Sequence, residues 1–452
     1  MAKKKEVLIS EGKTKRERLL EKLLEEKKMA EKTEETLKLG FLEDFNEVRR
    51  DNYKVTGILG YDLNVGGLKR GAFHVIYGDA STGKTTTILN LLEGIQMTQP
   101  DAITLYLDAE TTVDERFLSR MPYLNSENII FLKEQTAEYA LDKIVEYAKE
   151  NLVDYIVIDS VDSLVSKKET EKGLDEAVMM EKARVLSRAL PILQSACREN
   201  NLTVILIQQL RTKMSGIFVS EGRSGGNAMK FYPSTVVKLS NISSQNETDS
   251  DGRISSKYLK IKNEKSKIGN PYAETYSFIN TSSDKSSIDR IKECLNYACD
   301  LEIIEKKGAW VYIPDENGEI KSFQGIAKAQ EEFKKDIDLY SLTKLRIYGK
   351  KLDPEIFIIK FDEIIAYLIT ENKMMKRKKI DLLKAIGRED LINSKDYEEF
   401  KLEEPKPEDY MEEEVFKKAK FQMLTLKEKE EFLLEIEKNK EIQKDEKKIE
   451  II

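Results

Sequence analysis

The chain has 452 residues, of which 40% are hydrophobic and 35% are charged, and its formal net charge is −7. This length and hydrophobic content allow two or three domains with a sizeable core, and the excess of Lys and Glu predicts additional long, solvated helices. A negatively charged chain has no overall attraction for nucleic acid, so any binding site for a polyanion must be a local patch.

The cysteine and histidine content argues against disulfide, zinc and histidine-based chemistry. Cys197, Cys294 and Cys299 lack the spacing of a zinc site or a disulfide framework, which favours a reduced protein. The single histidine, His74, lies in the apolar run FHVIYG and is expected to be structural. The apolar runs are too short to span a bilayer and we recognise no signal peptide. We therefore expect a cytoplasmic protein, in the host cytoplasm if the source is viral, with no membrane partner.

The N-terminal segment, residues 1–52, is rich in Lys and Glu. Leucines at positions 19, 20, 23 and 24 recur at helical spacing. The pattern predicts a charged helical segment, with a solvated packing helix favoured over a DNA-binding arm.

The central part, residues 53–280, alternates short apolar runs with helical stretches. The runs are AFHVIYG, AITLYLD, DYIVIDS, LTVILIQQ and STVVKLS. Such alternation predicts an α/β core with a mostly parallel sheet that is covered on both faces. Residues 281–345 are expected to form a small α+β domain, and residues 346–452 a charged helical extension with an acidic tail.

A phosphate-binding loop is predicted where GDASTGKT follows an apolar strand and precedes a helix-like segment. The stretch fits G-x-x-x-x-G-K-[ST] in the context that this motif requires. Its glycines allow backbone amides to approach phosphate oxygens, its lysine supplies charge to the outer phosphates, and its last threonine can ligate Mg²⁺. The predicted nucleotide-binding loop comprises Gly78, Asp79, Ala80, Ser81, Thr82, Gly83, Lys84, Thr85 and Thr86.

Acidic residues follow two further apolar runs. Asp159 follows the apolar residues of YIVIDS, so it should emerge where strand ends meet the ligand crevice and hold Mg²⁺ opposite Thr85. Hydrolysis of a nucleoside triphosphate needs a carboxylate to orient and deprotonate the attacking water. Asp108 and Glu110, in LYLDAE, are both candidates and would share a strand face if the strand ran that far. The pattern alone does not choose between them.

Several separated segments together resemble the RecA recombinase family. They are TGILGYDLNVGGLKRGAFHVIYGDASTGKTT, LYLDAETTVDERF, DYIVIDSVDSLV, VILIQQLRTKMSGIFVSEGRSGGNAMKFYPS, KNEKSKIGNPYAE and KKGAWVYI. The resemblance covers about residues 53–335, and its glycine-asparagine loop and KSK segment are specific within P-loop proteins. It implies a RecA-like P-loop ATPase core, with ATP and Mg²⁺ as ligands.

The resemblance also implies roles at the nucleotide site. Glu110 matches the glutamate that activates water, acting together with Lys84. Asp114 and Phe117 match positions beside the adenine, and Gln209 matches the glutamine that senses the γ-phosphate. Two further lysines match residues that reach across a filament interface to a neighbour's ATP, namely Lys265 and Lys267.

The predicted DNA contacts fall in two loops of the family pattern. The first loop and the residues after it contribute Met179, Arg184 and Ser187. The second loop and its flanks contribute Arg211, Arg223, Gly225, Gly226, Asn227 and Lys230. Phe231 and Tyr232, just after that loop, are expected to pack into the core. The chain departs from the family at Pro191, where a basic residue is common; Arg188, about one turn earlier, is a candidate substitute.

The implied function is that of a DNA-dependent ATPase and recombinase. It would form a helical filament on single-stranded DNA and exchange strands with a homologous duplex, with single-strand-binding or loader proteins as candidate partners. The alternative is a regulatory or loading partner of a recombinase, which the weak match to the first loop, Pro191 and the charged extensions favour. A hexameric helicase is a third, less favoured hypothesis, because the loops of that family do not resemble GRSGGNAMKFYPS.

Overall fold

The computed structural model describes most of the chain between Tyr53 and Ile392. The described residues are 53–113, 118, 121, 123–172, 179–215, 218–223, 228–267, 271–281, 287–372 and 379–392. The predicted N-terminal helical segment and the acidic tail lie outside them.

The secondary structure alternates strands and helices, as the sequence predicts for the central part. The strands are β1 (Tyr53–Lys54), β2 (Leu68–Lys69), β3 (Phe73–Gly78), β4 (Thr104–Asp108), β5 (Ile129–Leu132), β6 (Tyr155–Asp159), β7 (Thr203–Ser215), β8 (Phe218–Arg223), β9 (Thr235–Asn241), β10 (Glu247–Thr248), β11 (Ile254–Ser266), β12 (Glu274–Asn280), β13 (Ser287–Ile288), β14 (Glu305–Lys307), β15 (Trp310–Pro314) and β16 (Ile320–Gln324). The helices are α1 (Leu59–Val65), α2 (Lys84–Thr98), α3 (Ala137–Lys149), α4 (Lys167–Lys172), α5 (Met179–Glu199), α6 (Ala228–Phe231), α7 (Arg290–Asp300), α8 (Ile326–Lys335), α9 (Ile337–Lys351), α10 (Pro354–Asn372) and α11 (Lys379–Ala385).

The central sheet has the order β13-β12-β11-β9-β3-β7-β6-β4-β5, with β10 beside β11 and β8 beside β7. All neighbours from β9 to β5 pair in parallel, and β11, β12 and β13 extend the sheet in antiparallel pairing. The predicted α/β class with a mostly parallel sheet is confirmed. Because parallel strands end at the same edge, β3, β4 and β6 bring their last residues together there, and Gly78 at the end of β3 pairs with Gln209 of β7.

Helices cover both faces of the parallel part of the sheet, which explains why β3, β4 and β6 are buried along their whole length. Successive residues of β3 enter different cores. Val75 packs with the α3 and α5 side, whereas Ile76 packs with Ile88 and Leu89 on the α2 side. His74 is buried in the same strand and its Nε2 lies 2.9 Å from the carbonyl oxygen of Lys69, which confirms that it is structural.

The C-terminal part differs from the prediction. The expected boundary between residues 345 and 346 falls inside α9, and α10 is an apolar helix that packs on α2 and α9. Helices α7 to α10 share one core with β15, Val55 and Leu59. The Lys/Glu-rich tail dominated the composition of 346–452 and hid the apolar stretch PEIFIIKFDEIIAYLIT. No helix within the described ranges, α10 included, is long and apolar enough to cross a membrane.

A buried carboxyl joins this C-terminal core to the start of the central part. Glu293 of α7 accepts hydrogen bonds from the backbone N–H groups of Leu59 and Gly60, both at 3.0 Å, at the beginning of α1. Burial raises the pKa of Glu293 to about 7. The folded protein therefore holds this proton at a pH where an exposed glutamate has lost it.

Glu293→Gln is expected to flatten the dependence of stability on pH. Between pH 4.5, the ordinary glutamate pKa, and about pH 7, the folded state binds one more proton than the unfolded state. The free energy of unfolding of the native protein should therefore fall as the pH rises, by roughly 1–3 kcal/mol from this group. Urea unfolding across this range measures the slope. The exposed Glu319→Gln is the control, and an unchanged slope in the Glu293 variant would count against the assignment.

Candidate nucleotide-binding site

The predicted phosphate loop connects the end of β3 to the start of α2. Lys84 is buried, and its ammonium donates to the carbonyl oxygens of Gly78 at 3.1 Å and Asp79 at 2.7 Å. Burial lowers the pKa of Lys84, while the nearby carboxylates of Glu110 and Asp159 oppose this shift. The lysine is thus held over the loop by two backbone carbonyl oxygens.

Glycine is required at both ends of this loop. A Cβ on Gly78 would lie 2.3 Å from the carbonyl oxygen of Leu239 in the neighbouring strand β9. Gly83, which precedes the first residue of α2, has a φ of 89°, and a Cβ there would lie 2.3 Å from Cδ1 of Ile279. The loop therefore follows a path that a side chain at either glycine would block.

Gly83→Ala is expected to weaken nucleotide binding by about tenfold or more, because a left-handed alanine beside Ile279 must shift the loop. Gly252→Ala is a matched control, since Gly252 has a φ of 76° but lies in open space in a distant turn. Both variants should lose about 1–2 kcal/mol of unfolding free energy from backbone strain. Titration with ATP should separate them, and equal affinities in the two variants would contradict the role of the loop.

Thr85 and Asp159 form a candidate metal site at the edge of the loop. The Thr85 hydroxyl donates to Oδ2 of Asp159 at 2.8 Å, and Tyr106 donates to the same oxygen at 2.8 Å. Burial raises the pKa of Asp159 to about 6, although these hydrogen bonds oppose the shift. Over the described ranges, no group of three or more His, Cys, Asp or Glu side chains could hold a metal. One hydroxyl and one carboxylate beside a phosphate loop fit Mg²⁺, which keeps waters and takes phosphate oxygens as its other ligands.

The structure separates the two acidic residues that the sequence left as alternatives. Strand β4 ends at Asp108, so Glu110 lies beyond it. The buried Asp108 carboxylate accepts the backbone N–H groups of Thr112 and Val113, each at 3.1 Å, and so holds the turn that follows the strand. The hydrogen bonds of the Asp108 carboxylate thus stabilise the turn, whereas the Glu110 carboxylate points to the ends of the neighbouring strands.

Glu110 sits in a cradle of hydrogen-bond donors. Its Oε1 accepts from the hydroxyls of Ser160 at 2.5 Å and Ser163 at 3.1 Å, and from Nε2 of Gln209 at 2.8 Å. The backbone N–H of Gln209 in turn donates to Oδ2 of Asp162 at 2.6 Å. The two residues with predicted roles in hydrolysis and phosphate sensing are thus in direct contact.

Sequence reasoning did not identify Ser160, Ser163, Asp162 or Tyr106 as parts of this site. The first three lie in DSVDS, directly after the strand that Asp159 ends, and the polar character of that short run is the signal that was available. Tyr106 gave no signal, because a tyrosine in a buried strand is ordinary.

The predicted interface lysines lie where β11 approaches the end of α6. The ammonium of Lys265 donates to the carbonyl oxygen of Phe231 at 3.3 Å, and Lys267 is exposed. Phe231 is 74% exposed, so the prediction that it packs into the core is wrong. Tyr232 is partly buried against the core. The short helix α6 turns the first aromatic outward and the second inward.

The predicted DNA-binding residues that the structure describes lie on helix α5, on the hairpin of β7 and β8, and on helix α6. On α5, which begins at Met179, Arg184 and Ser187 are exposed, as are Arg188 and Pro191. Arg211 and Arg223 lie on β7 and β8, which pair as an antiparallel hairpin, and Lys230 lies on α6. Five predicted residues lie outside the described ranges, namely Asp114 and Phe117 at the nucleotide and Gly225, Gly226 and Asn227 in the second loop.

Comparison with known proteins agrees with this architecture. Residues 30–282 match the family model described as the RecA N-terminal domain, which is more than half of the chain. The chain is 32% identical over 295 residues to Protein RecA of Mycoplasma mobile, covering 64% of this chain and 85% of that protein. It is 31% identical over 298 residues to Protein RecA of Helicobacter pylori, covering 65% of this chain and 82% of that protein. With its parallel sheet and phosphate loop, the chain belongs to the RecA family of recombinases.

Proposed function

We propose that the protein is an ATP-dependent recombinase that forms a helical filament on single-stranded DNA. In that filament it promotes homologous pairing and strand exchange, and DNA stimulates its hydrolysis of ATP. The observation that carries the proposal is the 2.8 Å hydrogen bond between Glu110 and Gln209. Gln209 lies on β7, the strand that continues into the hairpin with Arg211 and Arg223. DNA bound at that hairpin can therefore act on the proposed catalytic acid through one strand.

The chemistry assigned to the site is phosphoryl transfer to water. Glu110 would orient the attacking water and accept its proton, while its serine and glutamine donors hold the carboxylate in place. Lys84 would bind the outer phosphates as a fixed cation. Thr85 and Asp159 would hold Mg²⁺, which neutralises charge on the phosphates when bound.

The proposal includes assembly and partners. Lys265 and Lys267 would reach the ATP of a neighbouring subunit, which would tie hydrolysis to filament formation. Arg184, Arg211 and Lys230 would contact the DNA backbone without reading its sequence, so binding would be tolerant of sequence and sensitive to salt. Homologous duplex DNA, and single-strand-binding or loader proteins in the cytoplasm, are the remaining proposed partners.

ATP hydrolysis with and without single-stranded DNA, at low and high salt, tests this function. We expect strong stimulation by DNA that weakens as salt rises. A strand-exchange assay with a homologous duplex should then give joint molecules. If single-stranded DNA did not change the rate of ATP hydrolysis, the recombinase proposal would be wrong. A nucleotide-binding regulatory or loading partner would then be favoured.

A further inference from the structure

Strand β11 presents one face to the helix that carries the phosphate loop. Leu259 and Ile261 are buried on that face and share a core with Ile88 and Leu89 of α2. Because side chains alternate along a strand, Lys257 projects from the same face, two residues before Leu259. The alternation thus places a lysine at the edge of this core, toward the start of α2.

Contacts put this lysine at the phosphate loop. The ammonium of Lys257 donates to the carbonyl oxygen of Ser81 at 3.3 Å. Ile279, its cross-strand partner on β12, lies against Gly83 at the other end of the loop. Lys257 and Ile279 therefore border the loop from the same side of the sheet.

The neighbouring lysines of β11 pair with an acidic side chain, but within the described ranges Lys257 does not. Lys260 and Lys262, on the opposite face, both pair with Glu274, at 2.6 and 3.3 Å. In the described part of the chain, no carboxylate forms an ion pair with Lys257. Its hydrogen bond to Ser81 goes to a neutral carbonyl, which is a weaker acceptor than a phosphate oxygen.

We propose that Lys257 is a second phosphate-binding cation of the nucleotide site, in addition to the lysine of the loop motif. The inference rests on the proposed function to the extent that the loop binds ATP. The lysine has a flexible four-carbon stem, so its ammonium can leave the Ser81 carbonyl for a phosphate oxygen in the loop. The sequence motif gives no sign of it, because Lys257 lies far from the loop in the chain.

Titration of the purified full chain with ATP and with ADP, in the absence of DNA, tests the proposal. Lys257→Gln keeps a hydrogen-bond donor for Ser81 but removes the charge, and should weaken ATP binding by about tenfold. Lys257→Arg keeps the charge and should recover most of that loss. Lys260→Gln, on the opposite face of the same strand, is the matched control and should bind ATP as the native protein does.

Three outcomes would overturn the proposal. Native affinity in Lys257→Gln would show that the charge does not reach the nucleotide. An equal loss in the Gln and Arg variants, with unfolding free energies unchanged, would show that the positive charge of the side chain does not determine ATP binding. If the native protein bound no ATP, and Lys84→Ala changed nothing, the proposed function would fail and this inference with it.

Discussion

Glu110→Gln is expected to reduce the turnover of ATP by about 100- to 10,000-fold, the usual contribution of a positioned general base. The amide cannot accept a proton from water, and its NH₂ group would face donors that now serve the carboxylate, the hydroxyl of Ser160 and the amide of Gln209. ATP affinity should change only a few-fold, because the phosphates are bound by the loop and Lys84. Single-turnover hydrolysis and ATP titration separate the two effects.

Asp108→Asn is the informative comparison, since the sequence alone left both acids as candidates. Its carboxylate accepts two backbone N–H groups in the turn after β4. The asparagine can accept only one of them, so this variant should lose about 1–3 kcal/mol of unfolding free energy and retain turnover. If Asp108→Asn stopped hydrolysis while Glu110→Gln did not, the assignment of the catalytic acid would be reversed.

The sequence was informative where one local pattern determines the structure. The alternation of apolar runs and helical stretches predicted the parallel sheet, because fully buried strands must be apolar on both faces. The loop motif predicted a loop that joins a strand to a helix, and the structure has that loop between β3 and α2.

The sequence was uninformative where contacts join distant segments. The choice between Asp108 and Glu110 depended on where β4 ends, and the contact of Glu110 with Gln209 spans 99 positions. The predicted burial of Phe231 was wrong because hydrophobicity predicts burial only on average. A four-residue helix can present one aromatic residue outward. The C-terminal core was not predicted, because the average composition of residues 346–452 is highly charged although the segment contains one apolar helix.

That C-terminal core contains a buried cluster of charges, defined by Lys344, Glu371, Arg290 and Glu93. Lys344 is 0% exposed and its ammonium lies 3.0 Å from Glu371. Arg290 lies 2.8 Å from Glu93 of α2 and 3.6 Å from Glu371 of α10. The two cations and two anions balance, and they connect α7, α9 and α10 to the helix that begins at the phosphate loop.

Glu93 and Glu371 of this cluster also accept hydrogen bonds from Tyr123, in the segment that follows Glu110. The backbone N–H of Tyr123 donates to Glu93 at 3.0 Å, and the Tyr123 hydroxyl donates to the carbonyl oxygen of Glu371 at 2.6 Å. Thr370 adds a hydrogen bond from α10 to the carbonyl oxygen of Met97, near the end of α2, at 3.2 Å. Helix α10, which lies beyond the residues matched by the family model, is thus joined to α2 directly through Thr370 and indirectly through Arg290 and Tyr123.

Lys344→Met should destabilise the protein by about 3–5 kcal/mol, because it removes the ammonium nearest to Glu371 and leaves excess negative charge in the core. Lys344→Met combined with Glu371→Gln should recover part of that loss, since a buried pair that is removed together leaves no net charge. Urea unfolding of the two single variants and the double variant measures the coupling. Lys350→Met, at an exposed position of the same helix, is the control. Additive losses in the double variant would show that Lys344 and Glu371 contribute independently, and α10 would then be held by apolar packing rather than by this pair.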